Sequence, residues 1–251
     1  MKQLLLLLFG ILTFTGFSQD KEEKTSLKTV QFLSLDSLPV TATIYRISKR
    51  DAPLIILYHQ ARYSRGEYIE IAPQLNRLGF NCMAIDQRSG NVVNGIINQT
   101  HQAAVKKRLG TEYLDALPDL EAALIYAKKE FPNSKLIIWG SSYSSAFVFY
   151  LGSKYQKYIR GIISFSPGNY FSVQGHTIAY FAKNLACPVF ITSRKDEQQY
   201  WQEIYNSIPS EKVYFIPQKK GKHGSKALWK NNENHQAYWN ALISFLKQLK
   251  A

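Results

Sequence analysis

The sequence predicts a single α/β domain with a mostly parallel central sheet and helices on both faces. The chain has 251 residues, of which 45% are hydrophobic, a content typical of a globular protein with a sizeable core. After its first residues, apolar strand-like runs alternate with amphipathic helical stretches, and this alternation is typical of a parallel sheet covered by helices. No internal repeat, low-complexity linker or change of composition divides the chain, so we expect one domain over residues 19–251.

Eight stretches have the pattern of β-strands. The first two alternate apolar and polar residues, which predicts an antiparallel pair at a sheet edge with one solvated face. Most of the others are short continuous apolar runs, such as "APLIILYH" and "FNCMAID", which are typical of strands buried on both faces. In chain order the predicted strands are residues 28–35, 40–47, 52–59, 80–86, 135–139, 159–165, 188–192 and 212–217.

Helices are expected between these strands. The first ends at Gly79, and Pro118 lies near the start of the second, which "KKEFPN" closes. A loop rich in Ser, Gly and Asn is expected from the fourth strand to about residue 100. The predicted helices are residues 66–78, 112–130, a helix that begins near Ser142, a short one near 176–185, 197–207 and 234–249.

The first 18 residues have the layout of a signal peptide. Lys2 supplies the positive start, the stretch 4–14 is almost wholly apolar, and Gly16 and Ser18 are the small residues before an expected cut at Gln19. The apolar run is short for a membrane span. We therefore expect an exported protein, periplasmic or secreted, without stable membrane insertion after cleavage; an uncleaved N-terminal anchor is the alternative.

The chain is basic, with 31 Lys and Arg against 18 Asp and Glu and a formal net charge of +13. The positive residues are scattered and no nucleic-acid-binding module signature is present, so no nucleic-acid partner is expected. For an exported protein, this charge favours contact with an acidic glycan or another envelope polymer. The sequence indicates no oligomeric state.

Two cysteines, Cys82 and Cys187, lie far apart in the sequence, each in an apolar strand-like stretch. Such thiols are usually buried and free, and neither has a catalytic motif around it. We expect free thiols, although an exported chain can also form a disulfide.

The stretch "IIWGSSYSSA", residues 137–146, joins a predicted buried strand to a predicted helix. A serine at such a sharp turn stands clear of the sheet, beside helix N–H groups that can stabilise an oxyanion. The turn needs small residues two positions before and after the nucleophile, and Gly140 and Ser144 flank Ser142 in this way. Ser142 is therefore the candidate nucleophile, and a serine-rich helix cap is the alternative.

A nucleophilic serine requires a base, and the base must be oriented by an acid. Asp196 and His223 each follow a predicted strand, at the strand ends where open α/β sheets carry their sites. We expect Asp196 to orient His223, with Glu197 as the alternative acid. A helix-capping role for Asp196 and a surface role for His223 are the competing interpretations.

The oxyanion would need two backbone donors. One is the N–H of Tyr143, directly after the candidate nucleophile. The other is expected from the loop after the first buried strand, where Ala61 is the candidate and Gln60 the next choice. His59, in the same loop, suits a bracing role better than that of the base.

Polar residues in two neighbouring loops have two interpretations. Asp86, Arg88 and Asn94 are expected to brace their loop, with direct substrate contact as the alternative. Arg62 and Arg65 lie close in sequence to the proposed oxyanion donor, where a cation could bind a substrate carboxylate or sugar acid. An ordinary solvated arginine explains them equally well.

With these residues, the chain resembles an α/β-hydrolase, most closely the dienelactone hydrolase-like and bacterial serine esterase branches. The resemblance covers roughly residues 27–250, and its motifs are "HQA", "DQRSG", "GSSYS", the "KD" with Asp196 and the "KHG" with His223. The chain departs from the usual pattern at Gln60 and Ser144, where glycine is frequent. Dienelactone hydrolases proper use a cysteine nucleophile in place of a serine.

The resemblance implies an α/β-hydrolase fold with about eight strands and a minimal cap. It implies Ser142 as nucleophile, Asp196 as acid and His223 as base, with the N–H groups of Ala61 and Tyr143 facing the oxyanion. The expected reaction is hydrolysis of a small carboxylic ester through an acyl-enzyme, without metal or organic cofactor. Two alternatives stay open: a serine peptidase of the same fold, and an inactive envelope protein that binds acidic glycans.

Overall fold

The computed structural model describes residues 25–49 and 51–250. The predicted signal peptide lies outside these residues. The described residues form ten strands, eight of them in one sheet and two in a small hairpin. The strands are β1 (Ser26–Leu33), β2 (Pro39–Arg46), β3 (Leu54–Tyr58), β4 (Asn81–Ile85), β5 (Val92–Val93), β6 (Ile96–Ile97), β7 (Leu136–Ser141), β8 (Ile159–Phe165), β9 (Val189–Thr192) and β10 (Lys212–Phe215).

The large sheet has the strand order β1-β2-β4-β3-β7-β8-β9-β10. As predicted, β1 and β2 pair antiparallel at one edge. β2 is antiparallel to β4, and all later pairs are parallel. The carboxyl ends of the parallel strands therefore point to the same side of the sheet, where the loops that follow them meet.

In the described part of the chain, seven α-helices accompany the sheet. They are α1 (Ile71–Arg77), α2 (Gln99–Lys106), α3 (Leu117–Glu130), α4 (Tyr143–Lys154), α5 (Ile178–Ala182), α6 (Gln198–Ser207) and α7 (His235–Lys250). Helices α3 to α6 contribute to the apolar core on one face, whereas α1 and α7 contribute to the core on the other.

The continuous apolar runs follow from this two-sided burial. In β3, Leu54 and Ile56 belong to one core, whereas Ile55 and Leu57 belong to the other. Successive side chains of a strand point to opposite faces, so a strand covered on both faces needs an apolar residue at every position. The predicted α/β class, with an eight-stranded and mostly parallel sheet, is confirmed.

Two parts of the chain differ from the sequence-based prediction. The expected helix 66–78 is instead a 3₁₀ turn, Arg65–Tyr68, followed by α1. The stretch expected as a loop contains the β5–β6 hairpin and leads into α2, which has only two buried residues, Thr100 and Ala104. Because α2 has no apolar stripe, the periodicity of the sequence does not predict it. The start of α2 is fixed by Asn98, whose side chain accepts the N–H of His101.

Between β8 and β9 the described chain adds a single short helix, α5, which agrees with the expected minimal cap. Among residues 25–49 and 51–250, no helix has both the length and the apolar character needed to cross a bilayer.

Candidate active site

Ser142 lies between the end of β7 and the start of α4, at a sharp turn in the backbone. Its φ of 58° and ψ of −124° are rare for a residue with a β-carbon. Hydrogen bonds fix this conformation, because the N–H of Ser142 donates to the carbonyl of Phe165 at 2.8 Å and its own carbonyl accepts the N–H of Ser145 at 2.8 Å. A strained backbone held in this way at a strand-to-helix joint is a common property of functional sites.

The residues two positions before and after Ser142 are small for steric reasons. A β-carbon at Gly140 would lie 2.3 Å from the carbonyl oxygen of Ser144 and 2.5 Å from the Cα of Ser145. Position 144 tolerates serine because its hydroxyl has partners: it accepts the N–H of Ser141 at 2.9 Å and lies 2.8 Å from the carbonyl oxygen of Tyr58. The departure from glycine therefore adds a brace to the turn.

A chain of hydrogen bonds runs from Ser142 through His223 to Glu197. The Nε2 atom of His223 lies 2.7 Å from the Oγ of Ser142, and its Nδ1 lies 2.7 Å from Oε1 of Glu197. The carboxylate fixes the proton on Nδ1, which leaves Nε2 free to accept the hydroxyl proton of Ser142. This arrangement can activate a serine for nucleophilic attack.

The structure corrects the preference for Asp196 as the carboxylate beside His223. The side chain of Asp196 is 55% exposed and its Oδ1 binds the Nε of Arg194 at 2.6 Å, whereas that of Glu197 is 9% exposed. The two acids are consecutive residues at the end of a 3₁₀ turn, Lys195–Glu197, so their side chains point in different directions. Only Glu197, the alternative considered from the sequence, points to His223.

Further contacts hold the Glu197 carboxylate. Its Oε2 accepts the hydroxyl of Ser166 at 2.7 Å and the N–H of Arg194 at 3.1 Å. Burial opposes ionisation, but the hydrogen bond and positive charge of His223, together with these two donors, lower the pKa of Glu197 below its usual value. The carboxylate is therefore ionised at neutral pH and can stabilise an imidazolium.

The two backbone groups considered for the oxyanion belong to Tyr143 and Ala61. Tyr143 is the first residue of α4, and Ala61 lies in the loop that follows β3. Within the described residues, neither N–H has a hydrogen-bond acceptor. Backbone N–H groups without an internal partner are the kind of donors that stabilise an oxyanion when they face the reacting carbonyl.

His59 is enclosed in the protein and braces two loops. Its Nδ1 lies 2.7 Å from the carbonyl oxygen of Gln60, and its Nε2 accepts the N–H of Gln87 at 3.1 Å. The side chain is fully buried, and this burial lowers the pKa of His59 to about 4. The imidazole is therefore neutral near pH 7 and its ring nitrogens are occupied by loop contacts.

Arg65 and Asp86 form a partly buried ion pair between neighbouring loops. Asp86 also accepts the N–H groups of Arg65 and Gln99, at 2.8 Å and 2.9 Å. Asn94 ties the β5–β6 hairpin to the same region, because its side-chain amide donates to the carbonyl of Gly66 at 3.0 Å. These contacts match the bracing interpretation rather than substrate contact.

Arg88 also has a bracing position. Its guanidinium binds the buried carboxylate of Asp119 at 2.7 Å and the carboxylate of Asp36 at 2.6 Å. The Arg88 side chain is only 3% exposed, so it joins the loop after β4 to α3 and to the β1–β2 turn from inside the protein.

Gln60 and Arg62 lie nearest to Ala61. The N–H of Gln60 donates to the buried carboxyl group of Glu67 at 2.8 Å, whereas the Gln60 Oε1 has no hydrogen-bond partner among the described residues. Arg62 adopts a φ of 65° and lines a cavity of about 360 Å³ together with Ala61. The other lining residues include Ser89, His101, Glu112 and Tyr113. The candidate oxyanion donor Ala61 is thus one of the residues that line this cavity.

Three residues of this region were not found from the sequence: Glu67, Ser166 and Tyr170. Ser166 and Tyr170 follow β8 in "SFSPGNYF". Their position after the end of a strand is the sequence feature that could have marked them as site residues. The Tyr170 hydroxyl donates to the carbonyl of Ser166 at 2.7 Å. Burial raises the pKa of Tyr170 to about 12, against the opposing hydrogen-bond effect of Ser142. Glu67 had no signal, because an acid in an expected helix is usually solvated.

Both cysteines are free thiols, with Cys82 buried and Cys187 partly so. In the part of the chain that the structure describes, no group of three or more His, Cys, Asp and Glu side chains could hold a metal ion.

In comparison with protein-family models, residues 50–240 match the family described as serine aminopeptidase, S33. The match covers most of the chain and all three members of the Ser142–His223–Glu197 contact chain. The protein is an α/β-hydrolase of the serine aminopeptidase S33 family. No curated protein matches the sequence significantly.

Solved structures of other α/β-hydrolases share the fold at low sequence identity. Dienelactone hydrolase from Anabaena variabilis is 10% identical with a TM-score of 0.70, over 89% of this chain and 98% of that one. The esterase Pf2001 from Pyrococcus furiosus is 17% identical with a TM-score of 0.66, over 93% and 95% of the two chains. For the acylaminoacyl peptidase from Pyrococcus horikoshii the values are 15% and 0.63, over 90% of this chain but 42% of that one. The fold of this hydrolase is thus shared by esterases and by a peptidase.

Proposed function

We propose that the protein is a serine hydrolase that cleaves small carboxylic esters through a covalent acyl-enzyme. The observation that carries this proposal is the unbroken chain from Ser142 Oγ to His223 Nε2 and from His223 Nδ1 to Glu197 Oε1, with 2.7 Å at each contact. A nucleophile, a base and an orienting acid in this order are what acyl transfer requires.

In the first step, Ser142 Oγ attacks the ester carbonyl while its proton passes to Nε2 of His223. The ionised Glu197 stabilises the imidazolium, and the proton then passes to the leaving alcohol as the C–O bond breaks. In the second step, His223 takes a proton from water, the hydroxide attacks the acyl carbonyl, and Ser142 recovers its proton as the acid leaves.

The negative charge on the tetrahedral intermediate requires donors that are already in place. The N–H of Tyr143 is at the N-terminal end of α4, whose helix dipole favours negative charge. The N–H of Ala61 faces no other acceptor in the described residues. These two groups are our candidates for the oxyanion hole.

Peptide hydrolysis is the second candidate, and the family description favours it. The match covers only 42% of the peptidase from Pyrococcus horikoshii. That chain is therefore more than twice as long as the segment that aligns with this protein. The site here has only a minimal cap to select a peptide. We therefore rank esters first, and the ratio of turnover of 4-nitrophenyl butyrate to that of aminoacyl 4-nitroanilides distinguishes the two.

An inactive glycan-binding protein is the alternative from another class. The loop around His223 contains four lysines, Lys219, Lys220, Lys222 and Lys226, which favours contact with an anionic substrate or polymer. The ordered hydrogen bonds of Ser142 favour turnover over binding alone. Binding of acidic polysaccharides without any esterase activity would support this alternative instead.

We test the proposal by treating the purified protein with a fluorophosphonate probe and locating the adduct by mass spectrometry. We expect labelling at Ser142, loss of labelling in Ser142→Ala, and strong reduction in His223→Ala. Absence of labelling in a folded sample would contradict an activated serine.

Export is a separate proposal, based on the signal-peptide layout of the first 18 residues. The mature protein would begin at Gln19. N-terminal sequencing of protein recovered from the periplasm or medium tests this, and recovery of the uncleaved chain would contradict it.

A further inference from the structure

A fully buried carboxyl group lies behind the nucleophile turn and takes no part in the proposed mechanism. Glu67 belongs to the 3₁₀ turn Arg65–Tyr68 and has no exposed surface. Its Oε1 accepts the hydroxyl of Ser141 at 2.7 Å, and its Oε2 accepts the N–H of Gln60 at 2.8 Å. Ser141 directly precedes the nucleophile and Gln60 directly precedes Ala61. One carboxyl group thus connects the two loops that hold the candidate oxyanion donors.

The loop that carries His223 also contacts Ser141. The Oγ of Ser141 accepts the N–H of Ser225 at 2.8 Å, two residues after His223. A β-carbon at Gly224 would lie 2.6 Å from this Oγ and 2.6 Å from the Oε1 of Gln60. The loops of the nucleophile, the oxyanion donor and the base are therefore in direct contact around the Glu67–Ser141 hydrogen bond.

Each oxygen of Glu67 accepts one hydrogen bond. The carboxylate accepts from both partners, whereas an amide or a protonated carboxyl group has a donor that only the Ser141 hydroxyl could accept, and only by giving up its own donated hydrogen bond. Burial raises the pKa of Glu67 to about 7, opposed by the hydrogen bonds of Gln60 and Ser141 and by the charges of Lys226 and His223. Tyr63 and Tyr68 are the other titratable groups that interact with it.

We infer that Glu67 is a positioning residue, which sets the spacing between the N–H groups of Ala61 and Tyr143 around Ser142. Burying a carboxyl group costs desolvation free energy, and an apolar residue would usually stabilise the core at least as well. A carboxylate that binds both loops explains its presence. This inference rests on the proposed serine hydrolase function.

The role predicts a specific kinetic effect. If Glu67 sets the oxyanion donors, its loss weakens stabilisation of the transition state more than binding of the ester. We expect Glu67→Gln, which preserves size but loses one acceptor, to lower kcat for 4-nitrophenyl butyrate about 10- to 100-fold, because loss of one oxyanion donor typically costs about 100- to 1,000-fold. KM should change less than about threefold.

A double-mutant cycle separates this role from general loss of packing. Ser141→Ala removes the same hydrogen bond from the other side, so the double variant should be little worse than the poorer single variant. Ser141→Ala also tests the contact by itself if Glu67→Gln fails to fold. Glu70→Gln is the matched control, because Glu70 lies three residues away and its carboxylate accepts the backbone N–H of Lys230 near the surface. It should keep the parent's kcat.

Three results would overturn the inference: a folded Glu67→Gln variant with kcat within twofold of the parent, a loss confined to KM, or strictly additive effects in the cycle. The parent is labelled with the fluorophosphonate probe in parallel. An unlabelled parent refutes the proposed function, whereas a labelled parent with unaffected variants refutes only the role of Glu67.

Discussion

The imidazole of His223 binds Glu197 and not Asp196, although these two acids are neighbours in the sequence. Nδ1 of His223 lies 2.7 Å from Oε1 of Glu197, and the Asp196 carboxylate is turned outward to Arg194. The turn Lys195–Glu197 decides which carboxylate reaches the base. This choice has direct consequences for activity.

Glu197→Gln should lower kcat about 100- to 10,000-fold, because an amide cannot stabilise the imidazolium and favours the wrong tautomer of His223. Asp196→Asn should change kcat less than about twofold, since its carboxylate is exposed and touches no reacting group. Steady-state kinetics with 4-nitrophenyl butyrate measures the two effects. A larger loss in Asp196→Asn would reverse the assignment.

Gly140→Ala should destabilise the protein by about 1–3 kcal/mol and slow the labelling of Ser142, because the added methyl group would collide with the backbone of Ser144 and Ser145. Gly168→Ala is the matched control, where a β-carbon would approach only the ring of Tyr170, at 3.4 Å. Urea unfolding and the rate of fluorophosphonate labelling measure the difference. Equal stability of the two variants would show that the turn tolerates a side chain.

Arg88→Met should destabilise the protein by about 3–5 kcal/mol, because it leaves the Asp119 carboxylate buried without its partner. Lys219→Met breaks an exposed pair with Glu233, in which each side chain is 68% exposed, and should cost no more than about 1 kcal/mol. Urea denaturation at neutral pH compares them. A cost for Arg88→Met as small as that of the control would mean that water reaches Asp119.

The buried Glu67 should make stability depend on pH. The pKa of Glu67 is about 7 in the folded protein against an ordinary value of 4.5, so between these pH values the folded state binds a proton that the unfolded state has lost. The stabilisation from this group is fully present below pH 4.5 and is lost as the pH rises through 7.

We therefore expect the free energy of unfolding of the parent, relative to Glu67→Gln, to fall between pH 5 and pH 8. The change should be on the order of 3 kcal/mol at most. Urea denaturation of the parent and of Glu67→Gln at several pH values measures it. A parent-minus-variant difference that does not change with pH would mean that Glu67 does not titrate in this range.

Periodicity determined most of the sheet from the sequence, because strands buried on two faces require apolar residues at nearly every position. It failed at α2 and at the turn Arg65–Tyr68, where polar contacts and caps, rather than an apolar stripe, fix the backbone. Ser142 and His223 could be selected because each follows a strand end in a recognisable local pattern. Glu67 could not, because its partners, Gln60 and Ser141, are brought together only by the packing of separate loops.

The sequence by itself determined the α/β class, the serine turn and the two acids that could orient the base. Only the tertiary structure decided between Asp196 and Glu197, and only it placed Arg65, Asp86 and Arg88 in loop-bracing contacts. The physical reason is that strand patterns depend on local burial, whereas the direction of a side chain in a loop depends on charges and donors from distant segments.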